Sequence, residues 1–511
     1  MKNIKKIFLG ILAFVGLLGL AACNKDITGE LSVEAGRLSL EFTAEFEDGS
    51  AFESGEAKAY IALYKGETYA EKRDLAFNAS FVECTVVFSS LVPNTTYTGK
   101  LYVTVDGEAK LVDEVEATTT AAGETAEDPI LVSTAQEFKD MANDVTAYYK
   151  LANDIDFKGE SISIFKSSKI FKGNFDGAGY TVSNFVLTSN TYMGLFGYIE
   201  DATIVNLNVS NVTVDLSSTG RGETYMGALV GKAINSTITN CHSSNVNFKF
   251  SGYSTAKVSL GGFAGRLHST IVDNCSTETT SIEITKARLK MAVGLFIGRT
   301  ESTTLVTNSH ASGTLSAKVY FASNQTASDP DYVYVGGFIG INDAPKAIEN
   351  CYTIVDITVT EDANKTDSSS VSDTHELAVG GFVGGNWQGY LNTKNCLAVA
   401  DMNVTTKFSK NSYVGGFVGV ISAYNTSLEN SVYVAKENGI NLTCKLEGVK
   451  ASALFGKLNT ESLVNFVAYS NSITATEGLE LGTVTVSTDL SFLPEALQEV
   501  ASSYPLVGET E

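Results

Sequence analysis

A short apolar unit bracketed by glycines returns again and again between residues 194 and 456, and no other feature limits the possible folds so tightly. It reads Gly194-Leu-Phe-Gly197, Gly227-Ala-Leu-Val-Gly231, Gly262-Phe-Ala-Gly265, Gly294-Leu-Phe-Ile-Gly298, Gly337-Phe-Ile-Gly340, Gly381-Phe-Val-Gly384 and Gly416-Phe-Val-Gly419, with a looser Ala453-Leu-Phe-Gly456. An asparagine follows each unit: Asn206, Asn240, Asn274, Asn308, Asn350, Asn395, Asn430 and Asn465, at spacings of 34, 34, 34, 42, 45, 35 and 35 residues. Self-similarity at this period means stacked supersecondary units, each burying its apolar face against the next.

Within each period the sequence predicts three short strands: the glycine-aromatic unit, the segment carrying the asparagine, and a β-branched run such as Thr353-Ile-Val-Asp-Ile-Thr-Val359. With 45 glycines, only 6 prolines and no long helical periodicity, the chain reads as all-β. Three strands per coil, closed by turns, describe a parallel, right-handed β-helix spanning 131–488. The glycines would supply positive φ at the corners, and the asparagines a ladder of side-chain amides. Cys241, Cys275, Cys351 and Cys396 follow the repeat asparagine, where Ser309 and Ser431 stand in other coils. A slot that accepts Cys or Ser reads as an interior stack of small side chains holding free thiols, with a disulfide between neighbouring coils as the alternative. No CxxC or clustered histidine accompanies it, so no metal or cofactor is expected.

The glycine units resemble the GLUG motif of bacterial surface proteins. Tyr149-Lys-Leu-Ala-Asn-Asp-Ile-Asp156 and Phe171-Lys-Gly-Asn-Phe-Asp-Gly-Ala-Gly-Tyr-Thr-Val182 resemble the coils that precede such arrays. The resemblance covers about 145–470 and implies a secreted or surface-attached β-helix, in a family that includes adhesin-like proteins and non-catalytic parts of immunoglobulin A peptidases. It carries no general activity.

The amino terminus says where such a scaffold would sit. Lys2, Lys5 and Lys6 precede an apolar run from Ile7 to Ala22, the layout of a signal peptide over 1–22. The run ends in Leu20-Ala21-Ala22-Cys23, which resembles the lipobox of bacterial lipoproteins; the resemblance implies a diacylglyceryl group on Cys23 and a chain held at the extracytoplasmic face of the cell membrane. Residues 23–30 read as a tether. Loss of the three leader lysines moves the formal charge from −22 to −25, a surface that repels nucleic acid and anionic headgroups. Lipid is then the expected membrane contact, nucleic acid is not a partner, and the chain reads as a monomer.

Residues 31–120 carry about seven short alternating runs, among them Arg37-Leu-Ser-Leu-Glu-Phe42 and Lys100-Leu-Tyr-Val-Thr-Val105, which suits a β-sandwich. Leu91-Val-Pro-Asn-Thr-Thr-Tyr97 resembles the tyrosine corner of fibronectin type III and immunoglobulin-like modules, where the tyrosine hydroxyl bonds back to nearby backbone. Cys84 has no partner cysteine within this domain and reads as a small buried hydrophobe. An acidic, small-residue linker follows at 121–130. Ser133 to Ala142 reads as a helix capping the array, and Leu490 to Val500 as a helix closing the last coil ahead of a tail, within 489–511.

Function is less legible. His375-Glu376 begins like a zinc-protease helix, but Val379 stands where the second histidine belongs. His242, His268 and His310 read as solvated turn residues. No GxSxG or phosphate loop is present, and a non-enzyme is expected. A carbohydrate-active β-helix would need converging carboxylates, for which Asp154 with Asp156 and Asp329 with Asp331 are the candidates. The long periods place extra residues in Tyr320 to Tyr334 and Glu361 to Leu377, at equivalent points and so on one side of the solenoid. The one tryptophan, Trp387, lies in Gly385-Asn-Trp-Gln-Gly-Tyr390. Candidate ligand contacts are therefore Trp387, Tyr390, Tyr332, Tyr334, Asp329, Asp331 and His375, for a glycan or protein of a host or neighbouring cell; covering a coil edge is the structural alternative for Trp387. An adhesin or display scaffold comes first, a passive surface stalk second, and a carbohydrate-active enzyme third.

Overall fold

A computed structural model describes residues 27–504 apart from 78–81, 121, 189–190, 217–221, 252–256, 289, 321–331, 345, 362–371, 387–389, 407–408, 423–424, 445–449, 453, 458–462, 469–472, 476–479 and 482–486. Side chains in a few flanking positions, His375 among them, are also outside the description. The chain divides into two compact units, 1–121 and 122–511.

The first unit is a sandwich of two antiparallel sheets. Gly29–Ala35, Ser39–Phe46 and Glu83–Ser89 form one; Thr68–Asp74, Ala57–Lys65, Thr96–Val105 and Glu108–Thr118 form the other. Strict alternation along Ser39–Phe46 buries Leu40, Phe42, Ala44 and Phe46, and Phe42 meets Phe88 edge-on at 5.7 Å. Gly99 is required there, because a Cβ would lie 2.2 Å from the Phe42 ring. The buried Tyr97 hydroxyl accepts a hydrogen bond from the Val92 N–H at 3.1 Å, which ties down the corner the sequence predicts. Cys84 is buried with a free thiol.

The second unit is a parallel β-helix. The stretch after residue 121 is folded onto it, since Gly123 O accepts from Tyr148 N–H and Ile130–Val132 pairs in parallel with Tyr148–Leu151. Its helix, Ala135–Asp140, has a full capping box between Thr134 and Glu137. Phe138 from that helix plugs the open end of the core, edge-on to Phe157, Phe175 and Phe196.

One coil shows the plan. Met291–Gly294 lies in a nine-stranded first sheet, Ile297–Glu301 in an eight-stranded second sheet, and Leu305–Thr307 with His310–Tyr320 in a broad sheet of twenty. This coil thus has four strands where the sequence predicts three, while the coil of Ser372–Gly380, Val383–Asn386 and Tyr390–Thr406 has three. The glycine-aromatic unit is the corner between the first and second sheets rather than a strand.

The glycines of that corner do not have positive φ, contrary to the expectation. They are there because no Cβ fits. At Gly340 a Cβ would sit 2.4 Å from Val293 N, and at Gly294 2.1 Å from Ile297 O. Pairing also shifts the register of the motif. Gly294 aligns with Gly336, so Gly337 occupies the place of Leu295; Gly262, Gly381 and Gly416 are likewise second members of Gly-Gly pairs, behind Gly261, Gly380 and Gly415. Inside the corner Phe263, Phe296, Phe338, Phe382 and Phe417 form one continuous stack with ring centroids 4.7 to 4.8 Å apart.

Positive φ belongs instead to the asparagines, from 48° at Asn430 to 54° at Asn206 and Asn350. A short polar side chain tolerates that left-handed geometry, and here it does a second job. Asn240 Nδ2 donates to Asn206 Oδ1 at 2.8 Å, and the ladder continues through Asn274, then from Asn308 to Asn350, Asn395 and Asn430. Among the described residues it breaks once, where Asn308 donates to Asp273 Oδ1 at 2.8 Å. Beside it the thiols of Cys241, Cys275, Cys351 and Cys396 are buried and free, each pointing at a backbone carbonyl.

The sequence predicts a helix closing the last coil; among the described residues the C-terminal helix Glu495–Ser502 packs on earlier coils. Leu490, Leu493, Leu497 and Ala501 pack against Leu397, Val399, Val432 and Val434 on the outer face of the broad sheet. Those strand residues point away from the core, and the helix straps over the apolar patch they make.

Candidate functional site

The glycine corner has a consequence on its outer side. Excluding Cβ atoms lets the backbones of the first and second sheets meet, so the outward side chains of the two sheets face and touch one another in a seam along the solenoid. Two residues before the first corner glycine, the first sheet contributes Tyr192, Tyr225, Ser259, Ala292, Tyr334, Ala378 and Tyr413. One residue after the last corner glycine, the second sheet contributes Tyr198, Lys232, Arg266, Arg299, Ile341, Gly385, Val420 and Lys457.

The seam changes character along its length. Toward the amino terminus it is aromatic and charged. Tyr192 stacks on Tyr198 at 5.0 Å and on Tyr225 at 5.7 Å. Arg266 donates to the Tyr225 hydroxyl at 2.9 Å and to Glu301 Oε2, through Nε, at 2.9 Å. Glu223 accepts from both Arg266, at 3.3 Å, and the Tyr225 hydroxyl. Arg299 bridges Asp343 at 3.0 Å and Glu301 at 2.7 Å, the latter an ion pair off the N–H axis rather than an aligned hydrogen bond. Burial works to raise the Glu301 carboxyl, but the guanidiniums of Arg299 and Arg266 outweigh it and hold the group below the usual range.

Toward the carboxyl terminus the seam is apolar. Ala292, Tyr332, Tyr334, Ile341, Ala378, Tyr413 and Val420 form a cluster separate from the core. Glu376 lies at its edge and accepts a hydrogen bond from the Tyr334 hydroxyl. Burial lifts this carboxyl above its ordinary range against the opposing effect of that bond, and it pushes the Tyr332 hydroxyl up to about 12.

These positions decide the fate of the predicted contacts. Tyr332 and Tyr334 are 3% and 4% exposed, so both rings are packing groups of the seam and neither offers a face to a ligand. Tyr390 is exposed, at 39%, and its carbonyl accepts weakly from Asn342 at 3.4 Å. His375 lies in the strand Ser372–Gly380. Trp387, Asp329, Asp331 and Cys23 lie outside the described residues. Asp154 accepts from Thr181 N–H, and Asp156 from Asn184 Nδ2 and Lys158 N–H, so both tie turns together; those bonds hold the Asp156 carboxyl below its usual range. His242 and His310 open strands of the broad sheet rather than sitting in turns; His310 stacks on Tyr352 at 4.7 Å and meets Glu278 at 3.0 Å.

The seam is a feature the motif reading missed, although its signal is in the sequence: a tyrosine recurs two residues before Gly194, Gly227, Gly336 and Gly415. Among the described residues no trio of His, Cys, Asp or Glu is placed to hold a metal ion, and no helix is long and apolar enough to cross a membrane.

No protein-family model matches the chain, and no curated protein does. Among solved structures the chain is similar to an IgA1 protease at 15% identity and a TM-score of 0.39, over 88% of this chain and 32% of that one. It is also similar to a β-glucuronidase of Parabacteroides merdae at 7% identity and a TM-score of 0.14, over 38% of this chain and 36% of that one. The chain spans about a third of the length of either structure, and the fold assignment rests on the strand ladders themselves.

Proposed function

We propose that this chain is a lipid-anchored cell-surface scaffold, acting as an adhesin or display protein, that presents a binding face on the flank of its two longest coils. The reading is carried by one observation. The insertion 321–331 runs between His310–Tyr320 and Tyr332–Gly336, and 362–371 runs between Tyr352–Glu361 and Ser372–Gly380. The strands on both sides are hydrogen-bonded neighbours, with Val319 opposite Glu361 and Tyr332 opposite Glu376. Both insertions are therefore flanked by strands that lie one rung apart, about 4.8 Å. Rigid elements that present variable loops are a common basis for binding.

The lipobox-like Leu20-Ala-Ala-Cys23 supports a diacylglyceryl anchor on Cys23, and the GLUG-like repeats support a place outside the cytoplasm. The partner is a glycan or protein of a host or neighbouring cell, met by a monomer, and nucleic acid is excluded by charge. The test is binding of the chain from Asn24 onward to a glycan array and to matrix proteins, with folding of each variant checked by thermal melting. Saturable binding that is lost on deletion of 362–371 and weakened in Trp387→Ala supports the reading. No binding by the intact chain overturns it in favour of a passive stalk.

A further inference from the structure

Among the described residues the charged half of the seam contains a cation, Lys232, that forms no ion pair, although the carboxylates of Glu223, Glu301 and Glu200 favour its charged form. Glu223 is engaged by Arg266, by the Tyr225 hydroxyl and, at 3.8 Å, by Lys257. Glu301 is engaged by Arg266 and Arg299, and Glu200 by Lys172 at 3.3 Å. Lys232 lies among these groups without an ion pair to any described carboxylate. Its ammonium instead sits over two rings, 4.6 Å from the centroid of Tyr198 and 5.6 Å from that of Tyr225. The next rung of the same column is Arg266, another cation. Tyr192, half-buried, stacks beside both tyrosines and gives the group an aromatic flank.

We propose that Lys232, held over the buried rings of Tyr198 and Tyr225, forms with the half-buried Tyr192 and with Arg266 a recognition point for a carboxylate-bearing sugar residue such as a uronic acid. The ammonium takes the carboxylate, and the aromatic flank takes an apolar face of the ring. An anion here offsets two effects that disfavour the ammonium, the partial burial of Lys232 and its repulsion from Arg266, and does so against the carboxylates of Glu223, Glu301 and Glu200. Those same two causes, burial first, hold the free ammonium below its ordinary pKa. The point lies on coils before the two long insertions and does not depend on them.

The test is calorimetric titration of the chain from Asn24 onward with a hyaluronate hexasaccharide, with a neutral cellohexaose and inorganic sulfate as comparisons. The wild type is expected to bind the hexasaccharide with an affinity that falls as salt rises, and to bind cellohexaose at least tenfold more weakly. Lys232→Met keeps the stem over the rings and is expected to lose binding at least tenfold while melting at the wild-type temperature; Lys232→Arg restores it. Deletion of 362–371 leaves this binding unchanged. As a second readout, the Lys232 ammonium pKa followed by NMR rises on saturation. Absence of hexasaccharide binding, full binding by Lys232→Met, or equal affinity for sulfate overturns the assignment.

Discussion

Each coil turns at a glycine corner and at an asparagine corner, and the two obey different physics. At the first, φ is unremarkable and space is the constraint: backbone of neighbouring strands lies where a Cβ would be, 2.4 Å away at Gly340. At the second, space is ample for a side chain and φ is the constraint, met at 54° by Asn350. Glycine would satisfy the second corner as well, but only asparagine adds the rung-to-rung amide bond, 2.9 Å from Asn395 to Asn350. A repeat residue therefore reports either a forbidden volume or a required dihedral, and recurrence alone does not say which.

The largest effect that sharpens this comparison is expected at the glycine corner. Gly340→Ala forces two sheets apart and should cost about 3 kcal/mol or more, read as a lowered denaturant midpoint or as failure to recover folded protein. Next comes Asn350→Ala, which pays left-handed strain of about 1–2 kcal/mol and loses ladder bonds of about 0.5–1.5 kcal/mol each. A smaller effect lies in the seam that the glycine corner creates. Glu376 has a folded pKa above its ordinary 4.5, so the native state holds the proton more tightly than the unfolded one. The stability it contributes is complete below that ordinary value and is lost as pH rises through the folded value. Glu376→Gln should therefore flatten the fall in stability as pH rises above 4.5, measured by urea denaturation at stepped pH. Smallest is Cys351→Ser, expected to change stability by less than about 1 kcal/mol, because Ser309 and Ser431 already fill that slot with their hydroxyls on backbone carbonyls.

The period, the asparagine ladder, the Cys or Ser slot and the tyrosine corner were all legible in the sequence, because each depends on residue identity repeated in register. The cap at Thr134 and Glu137 was legible because its hydrogen bonds are local. What escaped depends on contacts between residues that differ from coil to coil. A second left-handed position runs through Asp201, Asn235, Ser269 and Ser302, each with φ between 48° and 56°. There the conformation recurs while the residue changes. The seam escaped in the same way, since one column passes from tyrosine through lysine and arginine to isoleucine and glycine. The last helix was readable as an amphipathic segment, but its docking on Leu397 and Val432 is a long-range contact no local pattern announces.

The most direct test of the two-corner account is the order of stability of Asn350→Gly and Asn350→Ala under equilibrium urea denaturation. Both lose the ladder amide, and they differ only in tolerance of positive φ. The account predicts that glycine is the milder substitution by about 1 kcal/mol. Alanine equal to or milder than glycine would contradict it, since the dihedral would then not be what asparagine is there to satisfy.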